Sequence, residues 1–366
     1  MLLAFACKQA PVQPRPTLPI VYSIAADSTG IGALIARSGQ RGGEGSIAII
    51  GDPESAIYLG RLFQGCDLVD NVDGRPGRDS LPDFAGERFD VIMDALSSPY
   101  ARFWEEARLL PDSLQYTVLD SLRETAVLNA VNAWDTTAWR STLDVRPILR
   151  KQSAKMIILT SSLQARWGRF DVDTLQTLCG GNCPVLSPVH ILLDEAYTSG
   201  AREIAVWTDR EVADAGVWEE AFAEKGWADA HLAVVAPTAA LDVRNELREV
   251  LRRYRETGRV LDALLIDRYG VPVVPLESEL RLIRQEGLDE DAALNAMIAP
   301  GFSIWEPGST LLGYAYRLLR DRHLFAHHIS RPEVSYYESV ESREGTPILV
   351  ETSADYAQRT YVPDFD

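Results

Sequence analysis

Short apolar runs bounded by polar and glycine-rich segments recur along this chain. From residue 155 onward they alternate with longer stretches of helical periodicity. An apolar run of four to eight residues between turn formers reads as a strand, and ten or more residues with a 3.6-residue period read as a helix. In the first half, strands are expected at 19–24, 46–50 and 89–93, with helices at 31–37 and 55–63. Residues 100–133 read as helical with a break at Pro111, where the ring removes a backbone donor. A long polar loop is expected from Asp67 to Arg88. In the second half, strands are expected at 155–160, 184–186, 203–207, 231–236, 263–266 and 302–305. Helices fall between them at 171–178, 189–197, 211–225, 241–257 and 275–286. Gly200, Gly226, Gly258 and Gly287 each follow a helical stretch, as a helix stop should.

Strands separated by helices of this length argue for βαβ units. Their right-handed crossovers give a mostly parallel, doubly wound sheet. The first half holds only three strands, which is few for an independent sheet. Two further strands in the tail, 334–337 and 347–351, would complete it if the chain returned. The expected fold is therefore α/β, with two Rossmann-like lobes around a cleft. In this division residues 1–18 are a tether, 19–150 lobe one, 151–300 lobe two, and 301–366 a segment returning to lobe one.

A net charge of −17 sets this surface against a phosphate backbone, so nucleic acid is not an expected partner. The longest basic cluster, Arg146 to Lys155, is too small to reverse that. No apolar run is long enough to span a bilayer. Met1 to Cys7 is apolar and is followed by a proline-rich stretch to Pro16. Cys7 then reads as a lipidation site, and the chain as an envelope protein held to a membrane by that anchor alone. Otherwise the segment is a cytosolic tail. In an oxidising compartment Cys179 and Cys183, separated by Gly-Gly-Asn, could close a small disulfide loop, and Cys66 reads as a buried small hydrophobe.

The stretches CPVLSPVHILLDEAYTSGAREIAVWTD, VWEEAFAEKGW, HLAVVAP and LDALLIDRYGVP, within 155–290, resemble the core of a type I periplasmic binding protein. That resemblance implies a non-enzymatic, hinged, surface-anchored protein for a small polar ligand such as a sugar, nucleoside or amino compound, and the sequence names no transporter partner for it. A second two-lobed group, the aspartate/glutamate racemases, uses a cysteine at a strand end in each lobe. The matching strand ends here are Thr160-Ser161-Ser162 and Asp267-Arg268, so a cysteine racemase is not expected. An isomerase or hydrolase on such a scaffold would have to use cleft carboxylates. A third reading is a structural or regulatory protein whose cleft is filled.

In open α/β sheets ligands bind beyond the carboxyl ends of the strands. Reading those ends gives the candidate binding residues Asp27, Asp52, Asp94, Ser161, Ser162, Asp209, Asp267, Arg268 and Trp305, with Trp167 near Ser162. Carboxylates and hydroxyls accept from or donate to polyols and amines, and indole faces stack on them. Each Asp or Ser could equally cap the following helix. No cofactor or metal is expected. The glycines of Asp27-Ser-Thr-Gly-Ile-Gly32 lack phosphate-loop spacing, and Asp70 to Gly74 lacks the outer ligands of a calcium loop. His323 and His327 have zinc-compatible spacing but no Glu between them and read as solvated.

Overall fold

A computed structural model gives the fold for residues 16–40, 43–70, 75, 77–148, 151–237, 242–285, 289–327 and 330–361. The chain begins with α1 (Pro19–Ala25), α2 (Ile31–Arg37), β1 (Ser46–Gly51), α3 (Pro53–Gln64), β2 (Arg88–Met93), α4 (Ala101–Ala107) and α5 (Asp112–Trp134). It continues through β3 (Ala154–Leu159), α6 (Ser162–Cys179), β4 (Val185–Leu186), α7 (Pro188–Thr198), β5 (Glu203–Trp207), α8 (Arg210–Asp214), α9 (Val217–Lys225) and β6 (His231–Val235). Next come α10 (Val243–Arg255), β7 (Leu261–Ile266), α11 (Val273–Gln285), α12 (Asp289–Asn295), β8 (Ile298–Trp305) and α13 (Pro307–Asp321). The chain closes with β9 (Glu333–Glu341), β10 (Pro347–Thr352) and α14 (Ala354–Tyr361).

Two sheets result, ordered β10-β9-β2-β1-β3-β4 and β6-β5-β7-β8. Every pairing is parallel except that of β10 with β9. This is the α/β, doubly wound architecture that the alternation of strands and helices implies. β1 and β3 are buried along their whole length, and beyond Ser46 and Lys155 at their entries their residues are apolar on both faces, as central parallel strands require. Helices cover both faces. Ile47, Ile49, Val91 and Met156 pack under α3 and α13, while Ala48, Ile50, Ile157 and Leu159 pack under α5 and α6. The second sheet has its own two cores, one around Trp218 and Leu265 and one around Trp207 and Leu264.

The tail does run back to the first sheet, where β9 lies beside β2 in parallel register and β10 forms the edge. A boundary at residue 150 does not describe the lobes, however. β3 and β4 pair in the first sheet, so the chain passes to the second only after Leu186. The regular strand rhythm from 155 onward runs through this crossing without a break, and for that reason it gives no sign of it.

Three other expectations need correction. Residues 19–24 are helix α1, not a strand. Pro19 sits in the first turn, where its missing N–H is harmless and its φ suits a helix. The preceding chain is pinned to helices rather than to a sheet edge: Leu18 N donates to Asp171 Oδ1 (3.0 Å), and Arg123 donates to Pro16 O (2.7 Å) and to both oxygens of Asp171. Residues 211–225 are two helices broken at Gly216, whose φ of 64° is left-handed. Cys179 and Cys183 are free thiols. Cys179 ends α6, whereas Cys183 is buried with its Sγ turned toward Ala154 O (3.6 Å), and burial pushes that thiol up to about 12. Cys66 is buried, and its S–H donates to Asp83 Oδ2 (2.9 Å).

Two cations of the basic cluster from Arg146 to Lys155 turn inward. Lys151 and Lys155 are both buried. Lys151 Nζ donates to Ala133 O and Asp135 O, both at 2.7 Å. Cys7 and the tether to residue 15 lie outside the described residues, as does the calcium-like loop at 71–74. No helix among the described residues is long and apolar enough to cross a membrane.

Candidate active site

A cavity of about 1440 Å³ opens where the carboxyl ends of both sheets meet. The first sheet contributes the turn after β1 (Asp52 to Ser55), the segment after β2 (Ala95 and Ser98 to Ala101), and Thr160, Ser161 and Ser162 after β3. The second contributes Asp209 after β5 and Asp267, Arg268, Tyr269 and Gly270 after β7.

The two sheets are stitched together at its floor. Ser162 Oγ donates to Asp267 Oδ1 (2.6 Å), and the Tyr269 hydroxyl donates to Thr160 O (2.9 Å). The hydroxyls of Thr160 and Ser55 lie 2.7 Å apart, and Ser55 Oγ donates back to Asp52 O (3.0 Å). Gly51, at the end of β1, makes this approach possible: a Cβ there would stand 1.7 Å from Thr160 Oγ1.

Three carboxylates in this cavity are perturbed in the same direction. Asp267 accepts from Ser162 Oγ, Trp218 Nε1 (2.7 Å) and Thr208 Oγ1 (2.9 Å). Those donors favour the ionised form, but burial outweighs them and lifts the carboxyl to about 6. Asp52 is likewise raised to about 6, by burial first and by the neighbouring Asp94 second. Burial also raises Asp209, against the pull of Arg268. The charges of Asp267, Glu306 and Asp52 all act on Tyr269, which burial and those charges hold above its ordinary pKa. The amino termini of α3 and α6 open onto the same space, so main-chain N–H dipoles point into it. Ser161 caps α6 by accepting from Gln164 N (3.4 Å).

Of the residues read from strand ends, Asp52, Ser161, Ser162, Asp209, Asp267 and Arg268 line the cavity. Four do not. Asp27 follows a helix and is exposed, and its carboxylate binds the N–H groups of Thr29, Gly30 and Ile31, which hold it below its ordinary pKa. Asp94 is buried behind the wall, accepting from Tyr100 Oη (2.8 Å), Asn129 Nδ2 (2.7 Å) and Ser339 Oγ (3.0 Å). Trp167 is core and stacks on Trp104 at 5.7 Å. Trp305 turns its indole N–H to Ser303 Oγ (2.8 Å) and packs on the second sheet. The strand-end rule also overlooked Tyr58, Arg61 and Tyr269. A signal existed for two of these: Glu54, Tyr58 and Arg61 recur at helical spacing on α3, so one face of that helix is polar and aromatic.

Among the described residues no group of three or more His, Cys, Asp or Glu is placed to hold a metal ion.

No family model matches the chain, and no curated protein matches it. Solved structures do. A glutamate racemase from Francisella tularensis subsp. tularensis SCHU S4, in complex with D-glutamate, is 10% identical at a TM-score of 0.48, covering 87% of this chain and 95% of that one. Glutamate racemase isoform RacE1 from Bacillus anthracis is 13% identical at a TM-score of 0.46, covering 82% and 90%. Arylmalonate decarboxylase is 13% identical at a TM-score of 0.35, covering 75% and 92%. These structural neighbours are not periplasmic binding proteins. They overturn the periplasmic resemblance, and with it the lipid-anchored binding protein it implied. The resemblance rested on a rhythm of helix, glycine and strand that many doubly wound folds share. Within 155–290 that rhythm spans parts of both sheets rather than one lobe.

Proposed function

We propose that the protein is an acid–base isomerase acting on a small polar molecule held between the two sheets. One observation carries this reading: Asp52 and Asp267, from different sheets, line one cavity, and both carboxyls are lifted to about 6. Near that pH each carboxyl is partly protonated, so one can take a proton while the other gives one. The carboxylate on one side removes a C–H proton from a carbon beside a carbonyl or carboxyl group. The electron pair moves onto that group's oxygen, and the carboxylic acid on the other side protonates the opposite face. Exchange with water then resets both groups. The amino termini of α3 and α6 supply N–H groups for the developing oxyanion. Ser162, Thr208 and Trp218 hold Asp267 in place.

The test is solvent exchange. In deuterium oxide near pH 6, a panel of amino and hydroxy acids is followed by proton NMR for loss of the signal from the carbon-bound α-proton. Enzyme-dependent exchange is expected for at least one compound. Asp52→Asn and Asp267→Asn should each slow it by about a hundred- to ten-thousand-fold. Equal exchange in both variants, or none with any compound, would remove this reading.

A further inference from the structure

The charges around the cavity are lopsided. Asp52, Glu54, Asp209, Glu211, Asp267 and Glu338 face Arg61 and Arg268 as the only arginines or lysines of the lining. Arg268 is already engaged: its Nη1 lies 2.6 Å from Glu246 and its Nε 3.6 Å from Asp209. That leaves Arg61, one turn after Tyr58 on the cavity face of α3, whose guanidinium makes no ion pair or hydrogen bond among the described residues. Glu54 on α3 and Glu211 on α8 likewise carry carboxylates with no hydrogen bond or ion pair among the described residues. The rings of Tyr58 and Tyr269, 6.0 Å apart, add π faces to the same wall.

A dicarboxylic ligand would bring two negative groups to a site with one unengaged cation among the described residues and would be repelled by the remaining acids. A ligand with one carboxylate and two basic groups matches the site: the carboxylate pairs with Arg61, and ammonium or guanidinium groups meet Glu54 or Glu211 and the tyrosine faces. The chain's net charge of −17 draws such cations toward the cavity from a distance. We infer that the substrate is a basic amino acid or a close analogue of net positive charge, and that Arg61 selects it by its carboxylate. This rests on the isomerase reading of the same cavity.

Calorimetric titration with lysine, arginine, cadaverine, glutamate and aspartate, at low and high salt, tests the inference. Lysine and arginine are expected to bind, more weakly at high salt, whereas glutamate and aspartate are not. Arg61→Ala should weaken lysine by about tenfold or more while leaving cadaverine, which has no carboxylate, unchanged. Glu54→Gln with Glu211→Gln should weaken both. Binding of glutamate in preference to lysine, an Arg61→Ala effect equal on lysine and cadaverine, or no binding by any probe would overturn the assignment. Lysine bound without α-proton exchange would uphold the ligand class and count only against the isomerase reading. Exchange seen on glutamate alone would do the opposite.

Discussion

Replacing Lys155 with Met is expected to lower folding stability by about 3–5 kcal/mol, the cost of stranding a buried charge. Lys155 enters β3 pointing inward, and its Nζ lies 2.6 Å from Glu87 Oε2, with both side chains essentially without solvent exposure. The ammonium also donates to Gly43 O (2.8 Å) and Leu324 O (2.7 Å). Glu87 accepts in turn from Ala326 N (2.7 Å). One ion pair thus ties the entry of β2 to the entry of β3 and to the segment after α13. Burial raises the Glu87 carboxyl and lowers the Lys155 ammonium, so each depends on the other to stay charged. Methionine keeps the apolar stem but leaves the carboxylate alone. Adding Glu87→Gln to Lys155→Met should recover much of the loss, because the orphaned charge is then gone. Urea unfolding measures both effects. A loss below about 1 kcal/mol in the single variant would mean that the pair is not buried as described.

The second large effect has the opposite sign. Asp267→Asn is expected to make the folded chain more stable at pH 8, by about 2–3 kcal/mol, while removing exchange activity. The folded carboxyl titrates at about 6, above its ordinary 3.8. The folded state therefore holds its proton more tightly than the unfolded state does. The stability this gives is full below about pH 4 and is lost as the pH rises through 6. Asn never ionises, so it escapes the loss. It also fits: its amide oxygen can accept from Trp218 and Thr208, and its NH₂ can donate to Ser162. The difference between variant and parent should widen from acid toward neutral pH in urea unfolding series. A variant no more stable than the parent at pH 8 would show that Asp267 ionises there without strain. A catalytic carboxylate held against its preference is the kind of site at which stability and activity trade against each other.

The fold was largely visible in the chain because its central strands are continuous apolar runs, as at 47–50 and 156–159, and such runs survive any tertiary context. The failures lie where tertiary contacts overrode local pattern. The run Ile20-Val21-Tyr22 is β-branched and aromatic, yet it is helical because Asp171 and Arg123 hold the chain just before it against α5 and α6. The first half of α6 went unread because its turns mix Arg, Trp and Phe. The signal was present in Ser161, which caps it, and in Gly168, where a Cβ would stand 2.0 Å from Ala126 of α5. The strand-end rule found Asp52 and Asp267 but could not tell a residue facing the cavity from Asp94, one wall behind it. Nor could it find Arg61, which sits well inside a helix. That Asp52 and Asp267 line one cavity was not legible at all, because it depends on how two sheets meet across residues far apart in the chain.

The protonation of both carboxyls can be measured without knowing the substrate. With ¹³C-labelled aspartate, the carboxyl resonances of Asp52 and Asp267, assigned from the Asp52→Asn and Asp267→Asn spectra, can be followed across pH. Both are expected to titrate with midpoints near 6. Midpoints near the ordinary 3.8 for the two carboxyls would contradict the assignment of this cavity to acid–base chemistry.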